Sequence, residues 1–314
     1  MNRSSLSLPS FAKVNWSLRI LGKRPDGYHE VRTILQTVSL EDQIRFEVSD
    51  EGIQLVCDDP SIPTDDRNLV VRAAKSLKKR YRVEKGARIR LLKRIPAKGG
   101  LGGGSSNAAV SLVALSHLWE LKPSRSELIE IASELGSDVP FFLFGGIALG
   151  TGTGATISSL QTDESCTQKH LIIITPRATV STVDAYAAIS APALTTMEPE
   201  SILPVSHIGA KSEDSVPWPA DDALQNDFES VIFDIEPEIR RARDTLLQAG
   251  ATGALLAGSG SSVFGVFADR RAQQKAIENI QVESGWRISP CVTLSRDEYR
   301  QRMGNGVSLF SLIE

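Results

Sequence analysis

Residues 96–110 read PAKGGLGGGSSNAAV, with five glycines in the six positions 99–104, then Ser105, Ser106, Asn107 and the first apolar residues of a helix. Glycine inside a regular element costs about 0.5 to 1 kcal/mol relative to alanine, so the run serves a conformation or an approach that side chains would block. A helix start carries about half a positive charge and unpaired N–H donors, and glycines let an anion come close to them. Two readings compete: a flexible loop ahead of a capped helix, and a cradle for phosphate. The coincidence of glycines, hydroxyls and a long apolar helix favours the cradle, with the glycines keeping side chains out of the path of a triphosphate. The loop is not of the Walker type, because Lys98 precedes the glycines and no Gly-Lys-Ser/Thr follows. Nor is it a dinucleotide fingerprint, since the acidic residue wanted about twenty positions on is only Glu120, at the far end of the helix.

Upstream of the loop the pattern is extended from 6 to 56, in runs such as KVNWSLRIL, EVRTILQTVSL and DQIRFEVS. Pro25-Asp26-Gly27 within KRPDGYHE marks a tight turn between two strands. Residues 68–81 have helical spacing, and 87–95 return to a strand. Downstream, SSNAAVSLVALSHLWEL is a helix, and SRSELIEIASEL opens another with Ser124 and Glu127 spaced as a capping box, ending at Gly136. FFLFGGIALGTGTGATISSL reads as an extended pair and HLIIITP, 170–176, as a buried strand. Residues 191–222, rich in Pro, Ser and acidic residues, read as a long surface connection or lid. The last third alternates helix and strand, which fits an α+β sheet domain with helices on one face. No internal repeat is visible.

A chain of 314 residues accommodates two domains, expected over 1–165 and 166–314. The formal charge of −3 gives no field to draw the whole molecule to nucleic acid or an anionic membrane, so any polyanion must be held locally. Cys57, Cys166 and Cys291 are far apart and form no CxxC, which points to a reducing compartment rather than a disulfide framework or zinc site. The longest apolar stretch, 139–150, is too short and glycine-broken to cross a bilayer, and the N-terminus lacks a signal pattern. A cytosolic protein is expected.

Pro96, Gly100, Leu101, Gly102, Ser105 and Ser106 match the pattern Pro-x-x-x-Gly-Leu-Gly-x-x-Ser-Ser of the GHMP kinases, which the loop resembles. PSFAKVNWSL, 9–18, resembles the family's first motif and LLAGSGSSVFGVF, 255–267, its third. Three motifs in order across almost the whole chain carry the resemblance. It implies an N-terminal nucleotide-binding α/β domain, a C-terminal ferredoxin-like domain, and ATP with Mg²⁺ in the cleft between them. The implied ATP contacts are Pro96, Lys98, Gly99, Gly100, Leu101, Gly102, Gly103, Gly104, Ser105 and Ser106. The metal is expected to arrive with ATP, near Ser105 and Ser106, with no dedicated protein site. Lys98 stands where these enzymes usually carry glycine or another small residue; it either adds a phosphate contact or points to solvent. Further segments, among them RPDGYHEVRT, GSDVPFFLFGG, VSTVDAYAA and QNDFE, resemble members that phosphorylate the 2-hydroxyl of a cytidine diphosphate methylerythritol. The resemblance implies small-molecule partners, neither nucleic acid nor membrane, and a monomer or weak homodimer.

Phosphoryl transfer to a hydroxyl needs a group to take the proton and a means of holding the γ-phosphoryl group in line. Asp138, after a helix stop and before apolar residues, is expected at the edge of a semi-buried strand. Taken alone it reads as a turn aspartate; the resemblance makes it the catalytic base. Lys13, inside the apolar run FAKVNW, is the implied catalytic partner, and Asn15 shares its strand face as a donor to substrate. Tyr28 and His29 are either an incidental hairpin tip or, as the resemblance implies, the stack and edge contact for cytosine. Thr182 and Tyr186 would close the pocket from the second domain. Gly258, Ser259 and Gly260 would bind substrate phosphate through backbone N–H groups, or would only bring two strands close. His117 and Trp119 read as helix packing. The rival readings are a mevalonate- or homoserine-type kinase, which would need no DGYH stack, and a silent metabolite binder, which would be expected to lack Lys13 or Asp138.

Overall fold

The computed structural model describes residues 5–160, 168–192 and 224–304. The connection expected over 191–222 lies almost wholly outside the described residues, as does Cys166; Cys57 and Cys291 are free thiols.

Strands β1 (Ser5–Lys23) and β2 (His29–Ser49) form a long antiparallel hairpin closed by the Pro-Asp-Gly turn. Asp26 shapes that turn by accepting from Tyr28 N at 3.1 Å, while Arg24 N closes it onto Tyr28 O at 2.7 Å. β3 (Ile53–Cys57) and β4 (Gly86–Leu92) extend the sheet beyond β2, with helix α1 (Leu69–Tyr81) as the crossover between these parallel strands. Asn68 starts α1 by accepting from Val70 N through its side chain, a local bond that satisfies one orphan donor of the first turn.

Helix α2 (Gly103–Leu118) follows the glycine loop and is buried on nearly every side, enclosed by the sheet, α1, α3 (Arg125–Leu135) and α4 (Val139–Phe144). That is why its sequence shows no polar face. The Ser124–Glu127 capping box forms as the spacing predicts, and α3 stops at Gly136. Trp119 Nε1 donates to Gly86 O at 3.2 Å and anchors the end of α2 to the sheet. The run VPFFLF departs from expectation: it is a one-and-a-half-turn helix, not a strand, and Asp138 sits at its N-terminal cap. Short continuous apolar runs carry no period, so helix and buried strand are indistinguishable there by sequence. β5 (Ile147–Thr151) and β6 (Thr156–Ser159) then pair as expected, β5 docking on β2.

The second sheet contains β7 (His170–Thr175), β9 (Gly253–Leu256), β10 (Val263–Phe267) and β11 (Arg287–Val292) in the antiparallel order β11-β7-β10-β9. With α5 (Thr182–Ala188), α6 (Glu229–Ile235) and α7 (Pro237–Gln248) between β7 and β9, and α8 (Arg270–Asn279) before β11, this is the βαββαβ order of the expected ferredoxin-like domain, α7 and α8 being its two packed helices. The continuous apolar text of β7 follows from burial on both faces. Ile172 and Ile174 pack with Ile239, Ala242 and Leu246 of α7, whereas Leu171 and Ile173 join Val14 and Trp16 of β1.

The chain does not part cleanly near 165. β8 (Gln225–Asn226) pairs parallel to β1 at Ser17–Leu18, and helix α9 (Arg296–Met303) returns to the first core. Leu294 N donates to Thr37 O at 2.9 Å, and Gln36 Nε2 donates to Leu294 O at 2.8 Å. The Tyr299 ring packs 5.6 Å from that of Phe11, and its hydroxyl donates to Phe142 O at 2.6 Å. α9 thereby braces α4, the helix that carries Asp138. Tyr299→Phe strips the last-turn carbonyl of α4 of this donor inside the core, and a loss of about 1 to 3 kcal/mol is expected, read as a lower urea midpoint at unchanged m-value.

Candidate active site

The glycine loop reaches its position by backbone contact. Gly100 (φ +74°) lies against the turn after β9: a Cβ there would stand 1.8 Å from Ala257 O. Ser262 N donates to Gly99 O at 3.2 Å, and a Cβ on Gly99 would meet Ser262 Oγ at 2.4 Å. On the other side Lys13 N donates to Leu101 O at 3.0 Å, and a Cβ on Gly102 would fall 2.8 Å from the Phe142 ring. Gly103 is closed in by Ile95 at 2.9 Å, while Gly104 has only Leu69 at 3.9 Å. Four of the run's five glycines thus also serve the protein's own packing, and Gly104 alone has room to spare. All five still line the cleft that opens beside them.

That cleft, about 1040 Å³, runs from Asn68, Lys93 and the loop, past Lys13 and Asp138, to Tyr28, His29 and Tyr186. Among the described residues it is lined by five cations, Lys13, Lys23, Arg67, Lys93 and Lys98, against one carboxylate, Asp138. A chain with net charge −3 thus concentrates positive charge in one place. No group of three or more His, Cys, Asp or Glu among the described residues is arranged to hold a metal ion, and Ser105 is the loop hydroxyl on the cleft wall. Ser106 does not share that wall. It is fully buried and accepts from Ser10 Oγ at 2.7 Å, because one step beyond Ser105 a helix has turned by about 100° and faces the core.

Lys13 is 3 % exposed, and its ammonium is held by Asn15 Oδ1 at 2.7 Å and by Asp138 Oδ2 at 3.7 Å. Burying an ammonium demands such partners. Asn15 Nδ2 in turn donates to Thr33 Oγ1 at 2.7 Å, and Thr33 donates to Ser17 O at 2.7 Å. Asn15 therefore spends its carbonyl on Lys13 and part of its amide on Thr33. It acts first as an orienting group, although it also lines the cleft. Thr33 escaped the sequence reading because its meeting with Asn15 depends on the register shift between Asn15 and Ser17, which no local pattern encodes.

At the far end His29 stacks on Tyr186 with centroids 4.7 Å apart and planes 21° apart, and Tyr186 meets Phe228 edge-on at 4.9 Å. Tyr28, 65 % exposed, also lines the cleft and is not part of that stack. Desolvation first, and then the charge of Asp138, push the Tyr186 hydroxyl up to about 12, so it stays a donor. His29 is lowered from its ordinary value, by desolvation and then by Lys23, and is neutral at pH 7. Thr182 Oγ1 and Ser259 Oγ lie 3.0 Å apart, and both line the cleft. Gly258 and Ser259 line the cleft, while Gly260 belongs to a neighbouring smaller hollow. Asn226, in QNDFE, was read without a role; its Nδ2 donates to Leu256 O at 2.9 Å and Gly258 O at 2.7 Å, fixing the turn beneath Lys13. Lys93 was likewise missed: its ammonium meets the fully buried Asp42 at 2.9 Å, and Asp42 accepts from Arg94 N and Ile95 N at the start of the loop.

Residues 68–146 match the family description "GHMP kinases N terminal domain" and residues 217–283 match "GHMP kinases C terminal". The chain is 39 % identical over 272 residues to the 4-diphosphocytidyl-2-C-methyl-D-erythritol kinase of Chlorobium phaeobacteroides (strain BS1), covering 86 % of this chain and 92 % of the relative. Its fold superposes on a crystal structure of 4-(cytidine 5'-diphospho)-2C-methyl-D-erythritol kinase with TM-score 0.70 and 30 % identity, over 92 % of this chain and 99 % of the other. A homoserine kinase from Cytophaga hutchinsonii ATCC 33406 shares the fold at TM-score 0.64 but only 20 % identity, with 92 % and 96 % coverage. The closeness of loop and turn gives a direct test: Gly100→Ala, blocked by Ala257 O and by its positive φ, is expected to cost at least about 3 kcal/mol and to abolish ATP binding, read by thermal unfolding and calorimetry.

Proposed function

This chain belongs to the GHMP kinases and, within them, to the 4-diphosphocytidyl-2-C-methyl-D-erythritol kinases, and on that premise we propose how its own residues carry the transfer. The protein is an ATP-dependent kinase of the non-mevalonate isoprenoid precursor pathway, phosphorylating the 2-hydroxyl of 4-diphosphocytidyl-2-C-methyl-D-erythritol. The observation that carries the catalytic assignment is the pairing of Lys13 with Asp138 beside the start of α2, where no other carboxylate lines the cleft among the described residues.

The triphosphate lies along the glycine loop, its oxygens facing the amides at the start of α2. Asp138, with its side chain 37 % exposed, is open to the acceptor and takes the hydroxyl proton as the oxygen bonds to the γ-phosphorus and the bond to the β-phosphate oxygen breaks, releasing ADP. Lys13 cannot wander, because Asn15 and Thr33 hold it, so its charge is already in place for the developing alkoxide. A Mg²⁺ brought by the nucleotide would find Ser105 as the hydroxyl at hand and would supply charge neutralisation to the phosphates. At the other end the cytosine lies against Tyr28, and neutral His29, backed by Tyr186, offers the edge contact.

Two measurements test this reading. The purified protein with Mg²⁺ and ATP is expected to consume ATP with the cytidine diphosphate acceptor and not with mevalonate or homoserine. In the same assay Asp138→Asn is expected to lose about 10² to 10⁴ in turnover while ATP affinity holds; undiminished turnover removes Asp138 from the mechanism. Because His29 is held neutral below its ordinary pKa, acceptor KM is expected to be flat above pH 6.5 and to rise only at lower pH, as protonation removes the ring's acceptor nitrogen. A His29→Asn variant should flatten that rise.

A further inference from the structure

We propose that Lys98 is a phosphate-binding cation, held at the cleft by a left-handed backbone that glycine would adopt more easily; the inference rests on the kinase reading above. Three described non-glycine residues have positive φ: Arg82, Lys98 and Glu120. Arg82 caps α1, and Glu120 follows directly on the last turn of α2, positions where a left-handed residue is the ordinary way to end a helix. Lys98 (φ +56°) ends no helix. It occupies a turn with Ala97 just ahead of the glycines, at a place where a side chain is conformationally disfavoured. Strain of this kind persists where the side chain does something that glycine cannot.

What the side chain does follows from its surroundings. Lys98 is exposed and, among the described residues, makes no hydrogen bond or ion pair. By contrast Lys13 is committed to Asn15 and Asp138, Lys93 to Asp42, and Arg67 to Asp65, while Lys23, also without such a partner among the described residues, lines the main cleft alone. Lys98 lines both the main cleft and the adjoining hollow of about 460 Å³, and is the one charged side chain common to the two. Around it stand Gly100, Thr182 and Ser259. The one carboxylate of the hollow, Asp184, is engaged by the hydroxyl of Ser181 at 2.7 Å. An uncommitted ammonium among hydroxyls and loop amides, at the mouth of an anion cleft, is matched by a phosphate oxygen. Both substrates carry one: the nucleotide's triphosphate and the acceptor's diphosphate.

The test uses the full chain with Lys98→Gly, Lys98→Met and Lys98→Arg. ATP and acceptor affinities are measured separately by calorimetry, so that the outcome does not depend on turnover, and kcat and melting temperature are measured alongside. Gly and Met are expected to weaken at least one ligand by about fivefold or more, with Arg within about twofold of the native protein. Weakening toward ATP alone assigns the triphosphate, and weakening toward the acceptor alone assigns its diphosphate. Lys98→Gly is expected to melt higher than the native protein, since it relieves the left-handed residue, and Lys98→Met is not. The proposal is overturned if Met leaves both affinities within twofold, if Arg is as poor as Met, or if Gly gives no gain in melting temperature. If the native protein binds both ligands but turns over neither, it is the kinase reading that fails.

Discussion

Two backbones approach each other more closely here than side chains would allow, and the site exists because they do. The loop around Gly100 rests on Ala257 O, and the turn after β9 answers with Ser262 N on Gly99 O. One turn belongs to the first half of the chain and the other to the second, so this contact joins the two halves at the site itself, as Leu294 on Thr37 and β8 on β1 join them elsewhere. Everything chemical hangs from it. Lys13 hydrogen-bonds through its amide to Leu101 O, and its ammonium sits where a Cβ on Gly258 would be 3.1 Å away. A burial this tight makes the ammonium's position a property of the backbone rather than of a rotamer.

The sequence was most legible where a local bond decides structure. The Ser124–Glu127 box, the Asn68 cap and the Pro-Asp-Gly turn are each satisfied within a few residues, and each forms as the spacing requires. It was least legible where tertiary burial overrides period. Val139–Phe144 is enclosed on all sides and so shows neither helical nor strand alternation, which is why Asp138 was expected at a strand edge and lies at a helix cap. Ser106 looked equivalent to Ser105 because adjacent hydroxyls are alike in text; only the helical turn sends one to the cleft and the other to Ser10. The glycines were read as making room for a ligand, but the partners that exclude their side chains, Ala257, Phe142 and Ile95, lie up to about half a chain away and leave no local trace.

Charge distribution explains how a chain that is acidic overall can hold a triphosphate and a diphosphate at once. The cations are not scattered: they come from β1, from the segment just before α1, from the end of β4 and from the loop, and all of them line the one cleft. Several are already committed to partners inside the protein, which fixes their positions at the cost of some of their field. Asp42 illustrates the bargain, since its buried carboxylate serves Lys93, two loop amides and Asn107 together. Such a network is rigid only when every member is satisfied.

Tyr299 bears on how the molecule comes into being. Its ring fills the space that a side chain on Gly145 would need, and its hydroxyl secures the last turn of α4, yet its partner Phe11 is encoded almost at the opposite end. A nascent chain leaving the ribosome exposes β1, β2 and α2 long before α9 exists to cover them. The phosphate loop is equally premature, because Ala257 has not been made. Contacts of such separation form late and slowly. The first sheet and α2 therefore wait for residues beyond 250 before their apolar face is covered and the phosphate loop is seated.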